Sequence, residues 1–132
     1  MSGLEDVRRI VLSLPRAYEA LVRDYVKFRV GRIVFASVSP DESLLGFGYP
    51  REAREALVAS DPETFLLPRP SDMRYQWVRL RLARIGPDEL SELLVDAWAM
   101  CVPKSLSAAF IGGGGMGEFA GDHRDPRAPE AG

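Results

Sequence analysis

Apolar residues recur along this chain with two different periods, and the change of period marks out its elements. Leu4, Val7, Ile10, Val11 and Leu14 follow at helical spacing, the pattern of an amphipathic helix. Ser2-Gly3-Leu4-Glu5 precedes them as a capping box, with Ser2 accepting from the Glu5 amide and Glu5 reaching back. Pro15 stops this helix, because it lacks an amide hydrogen and clashes with the preceding turn. Tyr18 to Arg23 fits an extended helix, a loop or a short strand. From Tyr25 the period falls to two, and Val26, Phe28 and Val30 alternate with Lys27 and Arg29. Gly31-Arg32 offers a turn, and Ile33 to Val38 is a β-branched run that predicts the next strand. Ser39-Pro40-Asp41-Glu42 has turn chemistry. Ser43 to Gly48 reads as a further strand, in which Gly46 and Gly48 weaken pairing or mark a bulge or a close backbone approach.

Pro50 opens a second helix, Arg51 to about Ala59, with Ala53, Ala56 and Leu57 turned inward. Ser60-Asp61-Pro62 closes it, and Glu63 to Arg74, with Pro68 and Pro70, predicts a loop free to move. Tyr75 to Leu82 then reads as a strand that sorts into two faces. Gln76, Val78, Leu80 and Leu82 form a core wall, and Tyr75, Trp77, Arg79 and Arg81 form the opposite surface. Gly86-Pro87-Asp88-Glu89 starts the last long helix, with proline in first position and acids in the first turn. Its apolar stripe is Leu90, Leu93, Leu94, Ala97, Trp98 and Cys101, and Pro103 interrupts it. Lys104 to Phe110 fits one or two more helical turns. Beyond them, Gly112 to Gly115, Gly117 and Gly121 precede Pro126 and Pro129. Such a segment buries too little apolar surface to offset its ordering entropy, so disorder is expected. The predicted organisation is one domain over residues 1–110 and a flexible tail over 111–132.

Composition narrows the class. The chain has 132 residues, 46% hydrophobic and 27% charged, enough for a core without disulfides or metal. A single cysteine cannot form an internal disulfide, which predicts a reducing, cytoplasmic setting. No apolar run approaches the roughly 20 residues of a membrane span. Glu5, Asp6, Arg8 and Arg9 break up any signal-peptide pattern. The net charge is −2, yet residues 1–110 carry 15 basic and 15 acidic side chains. A neutral body has no global field to attract nucleic acid, so any such binding falls to a local patch.

Several chemistries drop out. The one histidine, His123, sits in the tail, so the body has no imidazole for a Ser-His-Asp or Cys-His site or for a histidine-based zinc site. Cys101, on the helix stripe beside Trp98, reads as a packing residue. Gly112 to Gly117 lacks the Gly-Lys-Ser/Thr ending of a phosphate loop and reads as a linker. Glu52, Glu55, Asp88, Glu89, Glu92 and Asp96 lie on helices as a solvated face, with no calcium-loop spacing. No cofactor and no metal site is expected.

The arginines are the remaining chemistry. Arg69 to Arg84 holds five arginines against Asp72 alone. Lys27 and Arg29 share one face of an earlier strand, and Arg32 stands at its turn. In a single antiparallel sheet these would join Trp77, Arg79 and Arg81, with Arg74 and Tyr75 beside them. Guanidinium groups bind phosphate bidentately and aromatic rings stack on bases. In the opposing reading, Trp77 and Tyr75 pack under the Arg69–Arg74 loop and the arginines pair with helix acids.

The order of these motifs resembles a known family. A helix ends at Leu14-Pro15, then come Phe28-Arg29-Val30-Gly31-Arg32-Ile33-Val34-Phe35-Ala36, a helix ending near Leu57, Asp61-Pro62-Glu63-Thr64-Phe65, the strand Trp77-Val78-Arg79-Leu80, and a final helix before Pro103-Lys104. This is similar to the MmcQ/YjbR-like family of small bacterial proteins, over about residues 4–106. The resemblance implies an α+β fold, an antiparallel sheet with helices on one face, similar to bacterial frataxin in a double-wing arrangement. It also implies DNA binding, as the family is commonly described. Two departures stand out: Tyr75-Gln76 replaces the glycine often found before the late-strand tryptophan, and the Arg69–Arg74 loop is rich in proline and arginine.

The expected function is therefore non-enzymatic nucleic-acid (DNA) binding through Lys27, Arg29, Arg32, Arg74, Tyr75, Trp77, Arg79 and Arg81. The alternative is a protein–protein interaction module or adaptor using the same face, since Trp and Arg are favoured interface anchors. A small-ligand or enzymatic pocket under the Glu63–Arg74 loop ranks last.

Overall fold

The computed structural model describes residues 1–111. The tail expectations, including His123 and the glycine run, lie outside the described residues. Two compact units divide the chain, Met1–Trp98 and Ala99 onward. The first contains the sheet. The second holds the end of the last long helix, Cys101, and a helix α4 over Lys104–Ile111.

Within the first unit the order is α1 (Leu4–Val11), β1 (Ala17–Val22), β2 (Tyr25–Val30), β3 (Ile33–Val38), β4 (Leu44–Gly48), α2 (Arg51–Ser60), β5 (Phe65–Leu66) and β6 (Trp77–Arg81), then α3 from Pro87 to its end at Ala99. The strands form one six-stranded sheet in the order β1-β2-β3-β4-β6-β5. Every neighbouring pair is antiparallel. This is the predicted α+β architecture, an antiparallel sheet with helices on one face.

Register explains the two faces. Phe28, Ala36, Phe47 and Val78 stand in one row across β2, β3, β4 and β6. Val38, Leu45, Leu80 and Phe65 make a parallel row. All of these are buried, with Val7, Val11, Leu90, Leu94 and Trp98 from α1 and α3. The Trp98 indole N–H donates to the Pro15 carbonyl at 2.8 Å, so this large core side chain carries no unmet donor. A bulge between Phe28 and Arg29 inserts Phe35, also buried. After it Arg29 lies opposite Val34.

Local expectations meet several corrections. Tyr18 to Arg23 resolves as most of β1, closed onto β2 by Arg23-Asp24 with φ of 53° and 72°. Two positive φ values in a two-residue hairpin loop give a left-handed turn that matches strand twist. Helix α1 is capped differently from the Ser2/Glu5 reading. Gly3 is the N-cap, and its N–H donates to Asp6 Oδ2 at 2.9 Å. That bond and the Arg9 side chain hold the Asp6 carboxyl below its ordinary range. Ser2 instead anchors the terminus, donating through Oγ to the Ile85 carbonyl at 2.8 Å.

In α2 the buried side chain is Arg54; Ala56 is exposed, and Ala53 and Leu57 are only half-buried. The Glu63–Arg74 loop contains an edge strand, β5, and a 3-10 turn at Pro70–Asp72. The late strand is shorter than Tyr75–Leu82. Gln76 precedes it and is exposed instead of facing the core, and the buried Leu82 begins a 3-10 turn whose Ala83 and Arg84 are exposed. Burial pushes the Cys101 thiol up to about 11, which keeps it protonated, as a packing cysteine would be. None of the described helices is long and apolar enough to cross a membrane.

Candidate functional site

The sheet face opposite the core is built from the alternate residues of the same strands. One row crosses all six strands: Ala20, Lys27, Ser37, Gly46, Arg79 and Leu66. Its middle members, Ser37 and Gly46, are small, and its flanking members are long cations. Strands lie about 4.8 Å apart, so Lys27 and Arg79, three steps apart, have their Cα atoms about 14 Å from one another. Small residues between long ones make a trough.

The structure shows that trough, with a volume of about 750 Å³. Tyr25 and Lys27 line one side, with Arg23 at the hairpin turn. Trp77, Arg79 and the Arg69, Asp72 and Tyr75 side chains line the other. Gly46 forms the floor, because the Trp77 indole packs there by its Nε1–Cε2–Cζ2 edge. A Cβ on Gly46 would lie 2.7 Å from Nε1 and 2.8 Å from Cζ2. The close approach anticipated at this glycine is therefore made by an aromatic side chain, not by a backbone.

The trough's cations are lightly engaged. Lys27 Nζ stands 5.5 Å from the centre of the Tyr25 ring, a cation–π geometry. Arg79 donates from Nε and Nη2 to the Leu67 carbonyl at 3.1 and 2.9 Å. A guanidinium has five N–H donors, so Arg79 keeps capacity for a ligand. The acid in the trough, Asp72, faces Arg69 at 3.6 Å. Among the described residues no carboxylate forms an ion pair with Arg23, Lys27 or Arg79. Among the described residues, the helix-acid pairing of the opposing reading is not formed by Arg79 or Arg81. Arg79 and Arg81 hold backbone carbonyls instead, Arg81 donating to Glu63 at 2.9 Å.

The second wall is held from beneath. Arg54 Nη1 donates to the Tyr75 carbonyl at 2.8 Å and to the Trp77 carbonyl at 3.3 Å, and Nη2 donates to the Met73 carbonyl. Arg51 Nη1 reaches the Arg74 carbonyl at 2.8 Å. These bonds tie the carbonyls of Met73, Arg74, Tyr75 and Trp77 to α2 where the chain enters β6, and Tyr75 and Gln76 precede the strand.

Of the expected surface, Lys27, Tyr75, Trp77 and Arg79 meet at the trough. The others stand apart from its lining. Arg29 lies further along β2 between Tyr18 and Val34, half-buried, and its Nε is buried without a hydrogen-bond partner among the described residues. Arg32 is exposed at the β2–β3 turn. Arg74 stacks over Tyr75, 4.8 Å from the ring centre, and donates to the Tyr75 hydroxyl at 2.8 Å. Arg81 shares the open face but pairs with Leu44, one row over. Sequence reasoning missed Arg23, Tyr25, Ser37, Gly46 and Arg69 as lining residues, and Arg54 as the support. A small polar residue inside the apolar Ile33–Val38 run, and glycine inside β4, were the available signals.

An antiparallel sheet covered on one face by helices, with a cationic and aromatic trough on the other, defines a small α+β protein. The chain belongs to the YjbR family, whose model matches residues 12–100. It is 32% identical over 133 residues to uncharacterized protein Mb2600 of Mycobacterium bovis and to uncharacterized protein Rv2570 of Mycobacterium tuberculosis. Each alignment covers 87% of this chain and 100% of the relative. Among solved structures it is similar to Deinococcus radiodurans protein DR2400, family-model domain DUF419. There the TM-score is 0.69 at 21% identity, over 94% of this chain and 97% of that one, a likeness of fold.

Proposed function

We propose that this protein is a non-enzymatic nucleic-acid-binding protein of the cytoplasm and that the trough is its binding site. One observation carries the reading. The row Lys27-Ser37-Gly46-Arg79 puts two cations without carboxylate partners among the described residues on either side of a small-residue floor. Aromatic walls stand on both sides, Tyr25 on one and Trp77 with Tyr75 on the other. Phosphate contacts supply affinity and ring faces supply stacking, the combination by which proteins hold nucleic acid without strict sequence readout. The neutral body concentrates the attraction in this patch, so binding is expected to be modest and confined to it.

The test is a titration of a labelled oligonucleotide at two salt concentrations, for the native chain and for Lys27→Gln/Arg79→Gln. Each phosphate contact contributes a slope of about 0.7–0.9 in log affinity against log salt. The double variant is expected to lose binding and to lower that slope by about one to two. Equal affinity and slope in both proteins would place the site elsewhere.

A further inference from the structure

We infer that the trough takes an unpaired strand, with a base against its aromatic wall, and discriminates against duplex. This rests on the nucleic-acid reading above and sharpens it. The first argument is the chemistry of the walls. Trp77 packs on Gly46 through its Nε1–Cε2–Cζ2 side and is only half-buried where it lines the trough. Tyr75 is half exposed beside it, and Tyr25 stands across the floor under Lys27. Ring faces stack on base faces. In a duplex those faces are already covered by neighbouring pairs, whereas unpaired bases offer them.

The second argument is shape. Proteins that read a duplex insert a helix or a two-stranded ribbon into a major groove about 12 Å wide. Here Lys27, Arg79, Trp77 and Tyr25 line a concavity, not a protruding element. The span of about 14 Å between the Lys27 and Arg79 Cα positions, further narrowed by their own side chains, admits one chain of nucleotides between them and not two. A volume of about 750 Å³ lies in the range of small-ligand sites of about 300–1,000 Å³, enough for a few nucleotide groups at most.

The third is the mouth. Arg23 occupies the first position of a left-handed hairpin turn at φ 53°, where Asn, Asp or Gly is the preferred residue. An arginine there gives up local backbone preference and puts a cation at the end of the trough. Lys27, Arg79 and Arg23 then lie about the lining, where a strand's successive phosphates can reach them while its bases turn to the rings.

Anisotropy titrations of the native chain with three labelled probes at low salt test this: a twelve-nucleotide oligo-dT, the matching dA·dT duplex, and oligo-rU of the same length. Oligo-dT or oligo-rU, whichever binds tighter, is expected to bind at least tenfold tighter than duplex, with Trp emission perturbed on binding. Their ratio tells whether the 2′-hydroxyl is welcome. Trp77→Leu is expected to cut single-strand affinity about tenfold while leaving weak duplex binding unchanged; Trp77→Phe, which keeps a ring, restores part of it. Duplex binding equal to or tighter than single-strand binding, still lost in Lys27→Gln/Arg79→Gln, would overturn this inference and leave nucleic-acid binding standing. Failure of all three probes at low salt would overturn both.

Discussion

Gly46 and Phe47 are neighbours in β4, and they face opposite sides of the sheet. Phe47 lies in the row Phe28-Ala36-Phe47-Val78, and Gly46 in the row Lys27-Ser37-Gly46-Arg79. The two rows share strands, pairing and register and differ by a single residue step, which flips every side chain to the other face. Phe47 is fully buried against apolar partners. Around Gly46 the space above the sheet is left to an indole edge and a trough. One register thus serves stability on one side and an open, charged concavity on the other. The sharpest way to break the comparison is to remove the ring. Phe47→Ala is expected to lower the unfolding free energy by about 3–5 kcal/mol, the range for emptying a buried aromatic site, measured by urea denaturation. A loss below about 1 kcal/mol would mean that this face is not the core.

The same contrast runs through the arginines. Arg54 is buried, 6% exposed, and is spent on the carbonyls of Met73, Tyr75 and Trp77. Arg79 lies on the open face and holds one carbonyl. Arg54 holds the trough wall, whereas Arg79 lines the trough and keeps donors free of a carboxylate partner among the described residues. Arg54→Met keeps the length and removes the donors. It is expected to destabilise the protein by about 2–3 kcal/mol, because hydrogen bonds from a charged group to part-buried carbonyls are lost. Amide exchange across residues 73–77 should accelerate well beyond that of β4. A variant as stable as the native chain, with the 73–77 amides equally protected, would show that Arg54 does not hold that wall.

The two faces were also unequally legible. Alternation in Tyr25–Val30 placed Phe28 and Val30 in the core, and the stripe of the last long helix placed Leu90, Leu94, Ala97 and Trp98 there, with its Leu93 and Cys101 only half-buried, because burial imposes a period that survives in sequence. The open face imposes none. Lys27, Trp77 and Arg79 could be chosen because their chemistry is conspicuous. Ser37 and Gly46 offered only a small residue within each strand as a signal, since an absence of side chain matters only once register aligns them. Arg29 was grouped with Lys27 as sharing one strand face and Arg32 as the turn residue, but a bulge separates Lys27 from Arg29, and neither Arg29 nor Arg32 lines the trough. Arg54 escaped notice for a different reason. A charged residue amid the exposed positions of α2 reads as solvated until its backbone partners, 19 to 23 residues away, are known. Tyr75 and Gln76 looked like strand because alternation reports faces and cannot report where a strand begins.

The finest difference between the faces lies at Gly46 itself. In most strand interiors alanine is better than glycine by about 0.5–1 kcal/mol, since glycine loses more backbone freedom on folding. Here the new Cβ would meet Trp77 Nε1 at 2.7 Å and Cε2 at 2.9 Å, inside any contact a methyl group tolerates. Gly46→Ala is therefore expected to destabilise by about 1–3 kcal/mol, as overpacking does, and to shift Trp emission as the indole is lifted. The same substitution made with Trp77→Ala already present meets no indole, so its effect should change sign and stabilise by about 0.5 kcal/mol. Thermal or chemical unfolding of the four proteins closes this cycle, and the coupling energy is the contact. A penalty that persists without the indole would move the constraint at Gly46 from Trp77 to the backbone, and the trough floor would then be a feature of strand geometry alone.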